Sequence, residues 1–163
     1  MTFKFVPLQE SHFTGLREAL GAVAREKRYL AFTQAPPLDE CIAFYKSILQ
    51  HGHCQYIAEL DGEVVGWCDI LPARGEVRTH ICILGIGLIA SARHQSLGRM
   101  LMQAAIDKAW EIGLTRIELG VRIDNLNAIA LYERIGFQKE GVHRRANQVD
   151  GEYFDTCSMA LLR

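Results

Sequence analysis

A long apolar run near the middle of the chain is followed by a polar turn and then by an amphipathic stripe. The run covers residues 81–89, and the turn covers residues 90–96. Beyond the turn, apolar side chains recur at the spacing of one helix face: Leu97, Met100, Leu101, Ala104 and Ala105. The pattern predicts a strand over 77–89 and a helix over about 97–112, joined by a tight turn.

Shorter patterns on both sides predict the remaining elements. Before the central stretch they predict a strand at 3–7, helices over 9–28 and 38–50, and strands over 54–60 and 64–71. After it they predict a strand over 115–122, a helix ending at Ile135, and two strands that start at Phe137 and turn at Asp150-Gly151. Asp61-Gly62 is typical of a hairpin turn. Asp124 or Asn125 is typical of a helix N-cap, and Gly136 of a C-cap.

The order of these elements predicts an α/β (α+β) fold. Three antiparallel strands precede a strand-helix-strand-helix-strand unit, so the sheet is expected to be mixed and flanked by helices. Strands 77–89 and 115–122, joined by a crossover helix, are expected to be parallel neighbours. Ligands bind at the carboxyl ends of such strands, where the turn at 90–96 lies. No linker or repeat divides the chain, so one domain over 1–163 is expected.

Composition narrows the class of protein. The chain has 163 residues, of which 49% are hydrophobic and 23% charged, with a formal net charge of −1. That balance argues against a nucleic-acid or anionic-membrane binder, and no apolar run approaches the ~20 residues of a membrane helix. The beginning of the chain is strand-like and unlike a signal peptide. Five scattered cysteines without a C-x-x-C pair are typical of reduced thiols in a cytoplasmic protein.

The turn at 90–96 is a candidate anion site. A helix that opens on a turn has unpaired N–H groups and the positive end of its dipole at its first residues. Arg93, His94 and Arg99 add positive charge or donors there. We therefore expect a phosphate-bearing ligand, although from spacing alone a solvated turn between a strand and a helix is an equal alternative.

Two motifs, taken together, resemble the GNAT superfamily of acetyl-CoA-dependent N-acetyltransferases. The family has Arg or Gln, two residues, Gly, one residue, then Gly or Ala; here this becomes Arg93-His94-Gln95-Ser96-Leu97-Gly98. The second motif is Asn125-Leu126-Asn127-Ala128-Ile129-Ala130-Leu131-Tyr132-Glu133-Arg134-Ile135-Gly136-Phe137. The later Gly141, the segment 150–153 and the segment 159–161 also look like bacterial members. The resemblance covers nearly the whole chain and is weakest over 9–50.

This resemblance implies a fold and a co-substrate. It implies about seven strands in a mostly antiparallel mixed sheet, with a central parallel pair splayed for coenzyme A and about four flanking helices. It implies acetyl-CoA as co-substrate, and relatives commonly form homodimers. Amino-acid, phosphinothricin-type and ribosomal-protein N-terminal acetyltransferases are the members that the chain resembles.

The resemblance also assigns residues to the cofactor. Backbone N–H groups are expected to hold the pyrophosphate, from the motif residues Arg93, His94, Gln95, Ser96, Leu97, Gly98 and Arg99. Ile86, Gly87 and Leu88 are expected to face the pantetheine and the thioester, with the Leu88 N–H stabilising the oxyanion. Gly85 and Gly87 could instead pack under a bulky neighbour. Ser96 replaces the first glycine of the motif. The site is expected to survive because Gly98 is kept, with weaker cofactor affinity if position 96 needs a positive φ.

Catalytic groups are assigned in the same way. Tyr132 is expected to protonate the departing thiolate, although periodicity alone makes it a core aromatic. Asn125 is expected to contact the pantetheine arm, to cap a helix, or to do both. Glu118 is a candidate general base; the alternative is a salt bridge at the rim, and some relatives carry the carboxylate at the position of Gly120.

Acceptor recognition is expected from the first helical region, strand 64–71 and the last hairpin. The candidates are Glu26, Tyr29, Trp67, Asp69, His143, Arg144 and Arg145. Tyr29 and Trp67 suit a pocket wall, and Arg144-Arg145 suits a carboxylate clamp. His51-x-His53-Cys54 lacks a fourth ligand at a recognisable spacing, so no metal site is expected.

The sequence therefore predicts an N-acetyltransferase that acts on a primary amine of a small molecule through a ternary complex. A protein N-terminal acetyltransferase is the alternative acceptor class. A coenzyme A-binding sensor without turnover is the alternative outside enzymes.

Overall fold

Seven strands form one mixed sheet in the computed structural model, which describes residues 1–163. The strands are β1 (Phe3–Pro7), β2 (Cys54–Leu60), β3 (Glu63–Pro72), β4 (Ile81–Leu88), β5 (Arg116–Arg122), β6 (Gln138–Val149) and β7 (Glu152–Leu162). The helices are α1 (Phe13–Arg25), α2 (Leu38–His51), α3 (Leu97–Glu111) and α4 (Leu126–Ile135). The strand order is β1-β2-β3-β4-β5-β7-β6, with only β4 and β5 parallel. The predicted fold class is confirmed.

Local signals at the ends of the elements behave as predicted. The Asn125 side chain accepts the Ala128 N–H at 3.3 Å and caps α4. Gly136 ends α4 with a left-handed φ of 117°, where a side chain would be strained. Asp61 and Gly62, both with positive φ, turn β2 into β3.

Three predicted details are wrong. The strand predicted over 77–89 begins at Ile81, because a short 3-10 turn occupies Glu76–Arg78 and pairing with β3 begins at Cys82. The helix predicted over 9–28 starts with a 3-10 turn and ends at Arg25. Met100 is 53% exposed. The side chains of α3 that pack on the sheet are Leu97, Leu101, Met102, Ala105, Ile106 and Ala109, a face rotated away from Met100.

The two faces of the sheet carry different helices. One core joins α3 and α4 to the sheet through residues such as Leu101, Ile117 and Met159. The other core joins α1 and α2 to β2 and β3 through residues such as Leu16 and Ile57. No helix is both long and apolar enough to cross a membrane.

The parallel pair separates along its length. β4 and β5 pair only at Ile81 with Arg116, Cys82 with Ile117, and Ile83 with Glu118. Beyond Ile83 the two strands share no ladder, although β4 continues to Leu88 and β5 to Arg122. The splay that the family resemblance implies is therefore present, and it leaves backbone groups of both strands free at the carboxyl ends.

Candidate active site

A cavity of about 1060 Å³ opens where β4 and β5 separate. Its walls come from the ends of both strands, the turn before α3, the inner side of α4 and the segment after α1. It brings together most of the residues assigned to the cofactor: Ile86, Gly87, Leu88, Arg93, His94, Ser96, Leu97, Gly98, Arg99, Asn125 and Tyr132. Gln95 is not part of the wall, because its side chain turns back to donate to the Ser91 carbonyl at 3.0 Å.

The turn before α3 presents a row of unused donors. None of the backbone hydrogen bonds outside regular elements has an N–H of residues 94–99 as its donor. The first N–H groups of α3, which begins at Leu97, have no partner within the helix. His94 and Ser96 hold left-handed φ angles of 60° and 62°. These features make a nest of N–H groups at the positive end of the α3 dipole, which suits a diphosphate.

Backbone alternation on β4 decides which groups face the gap. The Ile89 N–H donates to the Val65 carbonyl at 3.0 Å, and Gly87 pairs with Trp67 in the same ladder. Odd-numbered residues of this segment therefore bond to β3, and Ile86 and Leu88 direct their N–H and carbonyl groups into the gap beside β5.

The backbone of Gly87 is thus committed to β3 and not to the cavity. Its missing side chain is explained by packing, since a Cβ would lie 2.3 Å from the Trp67 indole. Trp67 itself is 4% exposed and belongs to the core under α1, so it is not a pocket wall.

Arg93 does not point toward the diphosphate nest. Its guanidinium donates to both Glu26 carboxylate oxygens, at 2.8 and 2.5 Å, and its Nε donates to the Leu88 carbonyl at 2.9 Å. The Tyr29 ring lies 4.7 Å from the guanidinium. Arg93 therefore ties the segment after α1 to the end of β4 and leaves the Leu88 N–H as that residue's free group.

Tyr132 projects from α4 into the buried end of the cavity. Its side chain is 8% exposed, and its ring lies 5.9 Å from that of Phe137. Burial, with a smaller contribution from the nearby Cys68 thiol, raises the pKa of the Tyr132 phenol above its usual range. The phenol is therefore protonated throughout the physiological range and can serve as a proton donor. Asn125 lines the same cavity; its Oδ1 caps α4 and its Nδ2 has no partner in the chain.

Glu118 lies outside this cavity. Its carboxylate accepts from Arg116 at 2.8 Å and from Arg78 at 3.3 Å. It stands opposite Ile83, five residues or roughly 16 Å before Leu88 along the strand. The structure thus places it in a rim salt bridge and does not bring it to Tyr132.

A second cavity of about 530 Å³ lies beside the first. Glu118, Gly120, His143 and Ser158 are among its lining residues. Leu119, Gly120 and Thr156 line both cavities, so the two meet at the middle of β5.

The acceptor candidates divide by position. Tyr29 lines the large cavity and His143 the smaller one, whereas Glu26 acts through Arg93. Arg144 and Arg145 lie at an irregular, exposed stretch of β6 and line neither cavity. Asp69 is partly buried on β3, beside Gly85.

Three cationic lining residues were missed by the sequence reasoning: Arg28, Arg122 and Arg134. Arg122 is held by Asp124 at 3.0 and 2.6 Å, and its guanidinium stacks on Phe154. The position of Arg122 at the carboxyl end of β5 could have identified it as a site residue. Arg28 lines the cavity only because of the path that the chain takes after α1, which no local pattern indicates.

The two histidines and the cysteine near residue 52 do not converge. The rings of His51 and His53 stack 5.3 Å apart, and the Cys54 thiol points to the other side to donate to the Ala105 carbonyl. The chain contains no group of three or more His, Cys, Asp or Glu side chains that could hold a metal ion.

Comparison with known proteins places this geometry in a family. Residues 18–137 match the acetyltransferase (GNAT) family. An L-amino acid N-acetyltransferase, AaaT, of Escherichia coli is 32% identical over 111 residues, which is 67% of this chain and 68% of AaaT.

Two solved structures share the fold. A ribosomal-protein-alanine N-acetyltransferase from Brucella melitensis aligns with a TM-score of 0.93 at 22% identity, over 98% of this chain and 99% of its own. A phosphinothricin acetyltransferase from Sinorhizobium meliloti, solved in complex with acetyl-CoA, aligns with a TM-score of 0.91 at 18% identity, over 99% of this chain and 89% of its own. The splayed parallel pair, the donor nest before α3 and the extent of the family match show that this chain belongs to the GNAT family of acetyltransferases.

Proposed function

We propose that the chain transfers acetyl from acetyl-CoA to the primary amine of a small molecule, an amino acid or an amine-bearing metabolite, by direct attack in a ternary complex. The observation that carries the proposal is the shared cavity: the donor nest, the free N–H groups of Ile86 and Leu88, and the Tyr132 phenol all line it. One extended thioester can then satisfy all three.

Each group has a chemical task in this proposal. The N–H groups of residues 94–99 and the α3 dipole bind the diphosphate, with His94 and Arg99 as side-chain donors. The pantetheine lies against the free edge of β4. The Leu88 N–H stabilises the oxyanion that forms when the amine attacks the thioester carbonyl. Tyr132 donates its proton to the departing thiolate.

The second cavity supplies the route of the acceptor. Because the two cavities meet at Gly120, an amine can approach the thioester from the side opposite the diphosphate nest. A direct attack needs both substrates to be bound together, and this arrangement provides separate entrances.

The charges at the mouth of the large cavity favour an acceptor that carries a carboxylate. Arg28, whose side chain is 53% exposed, lies 3.9 Å from Asp124 and lines the cavity with Tyr29. An exposed guanidinium beside an aromatic ring suits the carboxylate of a free amino acid. The similarity to AaaT supports the same acceptor class.

Release of free thiol from acetyl-CoA tests the proposal. The purified chain is incubated with a panel of amino acids, simple amines and peptides with free N-termini, and thiol is followed by colour formation. We expect release with at least one amino acid or small amine. Release of thiol with peptides alone would overturn the proposed class of acceptor. If calorimetry detects binding of coenzyme A but no amine causes release of thiol, the proposal that the chain is an acetyltransferase enzyme is overturned.

Tyr132→Phe tests the proton donor. We expect a fall of roughly 10²–10⁴-fold in kcat, since a positioned general acid typically contributes that much. Coenzyme A affinity, measured by calorimetry, should change little because the ring remains. Tyr153→Phe, at a tyrosine that is 55% exposed on β7, is the matched control and should keep full activity. Undiminished turnover in Tyr132→Phe would assign the proton to another donor.

A further inference from the structure

The Asp69 carboxyl lies directly over the backbone of β4. Asp69 pairs with Gln55 on one side and with Gly85 on the other, so the three residues form a row on the face that α1 and α2 cover. A Cβ built on Gly85 would lie 3.1 Å from Asp69 Oδ1. The carboxyl therefore occupies the space that a side chain at position 85 would fill.

The same row continues into the cavities through a second glycine. Gly120 lies two residues beyond the last paired position of β5, as Gly85 does on β4. No atom lies within 4 Å of a Cβ built on Gly120. Gly85 lines the large cavity and Gly120 lines both. Asp69 itself lines neither cavity, but β4 and β5 present glycines and no side chains at the two positions that follow it in this row.

The carboxyl of Asp69 has no hydrogen bond or ion pair with another side chain in the chain. The titratable groups that interact with the Asp69 charge are Tyr45 from α2, Cys54 from β2 and Cys68 from β3. Tyr45 in turn lies near Cys41 of α2 and Arg17 of α1. The buried Tyr45 hydroxyl and Gln55 Oε1 also have no partner. Buried polar atoms of this kind are the usual ligands of ordered water.

An unpaired carboxyl in this setting has the properties of a proton acceptor near neutral pH. Removal from water raises the pKa of Asp69 to about 7. Asp69 remains partly exposed, so water can reach it. Glu118, in contrast, is held by two arginines. A general base works best when its pKa lies near the working pH.

We propose that Asp69 accepts, through a water at Gly85 and Gly120, the proton that the acceptor ammonium must lose before it attacks the thioester. The inference rests on the proposed function and names its base. Gly85 lies three residues, roughly 10 Å, from Leu88 along β4. A water at Gly85 and Gly120 would reach the amine through about two further waters, at about 2.8 Å per hydrogen bond.

The proton and electron balance of the transfer is complete. The acceptor ammonium gives one proton to Asp69, and its nitrogen lone pair then forms the C–N bond to the thioester carbonyl carbon. As the tetrahedral intermediate collapses, the C–S bond breaks and its electron pair leaves on sulfur. The thiolate takes the Tyr132 proton, the nitrogen loses its second proton to restore the phenol through water, and Asp69 releases its proton to solvent.

The test is the pH dependence of kcat/KM in Asp69→Asn, with Glu118→Gln as the matched control. In the wild-type chain we expect the rate to rise with pH through an inflection near 7, because Asp69 must be deprotonated. The inflection should keep its position for two acceptors whose amines have different pKa values. In Asp69→Asn the rise of kcat/KM with pH should disappear, and kcat/KM at pH 8 should fall at least about 10²-fold with coenzyme A affinity unchanged. In Glu118→Gln the rise of kcat/KM with pH should remain.

The failures are distinguishable. An active wild type whose profile is unchanged in Asp69→Asn overturns the role of Asp69 alone. A wild type that binds coenzyme A and acetylates no amine overturns the proposed function and this role with it. If Asp69→Asn does not fold, the pH profile of the wild-type chain tests the role. An inflection that shifts with the pKa of the acceptor amine would then overturn the role of Asp69.

Discussion

At the scale of single residues, the diphosphate nest depends on two side chains in an uncommon backbone conformation. Ser96 holds φ 62° and ψ 4°, and its hydroxyl makes no capping hydrogen bond to α3. A residue with a β-carbon pays about 1–2 kcal/mol for this left-handed region, which glycine enters freely. His94, with φ 60°, carries the same cost two residues earlier. The nest is therefore held in its strained form by the surrounding fold before any ligand binds.

Ser96→Gly should relieve part of this strain. We expect the free energy of unfolding to rise by about 1 kcal/mol, or roughly 2–4 °C in Tm. Coenzyme A should bind at least as tightly, because the backbone approaches the diphosphate without a Cβ. Thermal denaturation and calorimetry measure the two effects. Gln95→Gly is the control: Gln95 has no positive φ, so glycine there should lower Tm. A lower Tm in Ser96→Gly would show that the serine hydroxyl matters more than the strain.

At the scale of elements, one ion pair joins the end of α1 to the loop between β4 and α3. Glu26 follows α1, and Arg93 precedes α3 by four residues. Their side chains are only 30% and 21% exposed, and the pair is bidentate. The hydrogen bond of the pair lowers the pKa of Glu26 and raises that of Arg93. The connection carries Tyr29 and Arg28, so the wall proposed for the acceptor is anchored to the end of β4, the strand proposed to hold the thioester.

Glu26→Gln should weaken this connection. Charge-assisted, partly desolvated pairs contribute about 1.5–3 kcal/mol, so we expect Tm to fall by roughly 3–12 °C. The KM of the acceptor should rise more than that of acetyl-CoA, because the acceptor wall loses its anchor. Asp150→Asn is the control, since the Lys27–Asp150 pair is exposed and should contribute little. An equal fall in Tm in both variants would show that the Glu26–Arg93 pair stabilises the fold no more than the exposed Lys27–Asp150 pair does.

At the scale of the whole molecule, the splay of one sheet creates both halves of the site. Pairing of β4 with β5 stops at Ile83 and Glu118, and the two cavities meet just beyond that point. The helices on one face supply the nest and Tyr132, while Asp69 lies on the other face and is partly covered there. The groups proposed for the two proton transfers are therefore held by different faces of the sheet.

Asp69 should also shape the stability of the whole fold. Its pKa is raised to about 7 in the folded chain from an ordinary value of 3.8, so the folded state holds a proton that the unfolded state has lost. Stability should fall as pH rises from about 4 to 7, by at most ~1.4 kcal/mol for each pH unit in that range. Asp69→Asn, which stays neutral, should melt above the wild type at pH 8 and lose this advantage toward pH 4. Thermal denaturation at several pH values measures the difference; an advantage that does not vary with pH would contradict the assignment.

Much of the fold could be predicted because its signals are local. The helical spacing in α3 and α4, the turn at Asp61-Gly62 and the caps at Asn125 and Gly136 depend on residues within a few positions of one another. Where the local signal was ambiguous, the prediction was wrong, as at Met100, whose apolar side chain fits the stripe but faces solvent. The nest before α3 was also predictable, because a helix start and its motif lie together in the sequence.

Contacts across the fold could not be predicted in this way. The indole of Trp67 over Gly87 follows from a register set by β3 and β4 together. The pair of Arg93 with Glu26 spans 67 residues. Glu118 is held at the rim by Arg116 of its own strand and by Arg78, which lies 40 residues away in the sequence. The amino-acid pattern by itself determined the elements, their order and the donor-rich turn before α3, because these depend on periodicity and backbone geometry within each segment. Only the tertiary structure decided which face each polar side chain occupies and which charge it meets, because strand register and helix packing bring distant residues together.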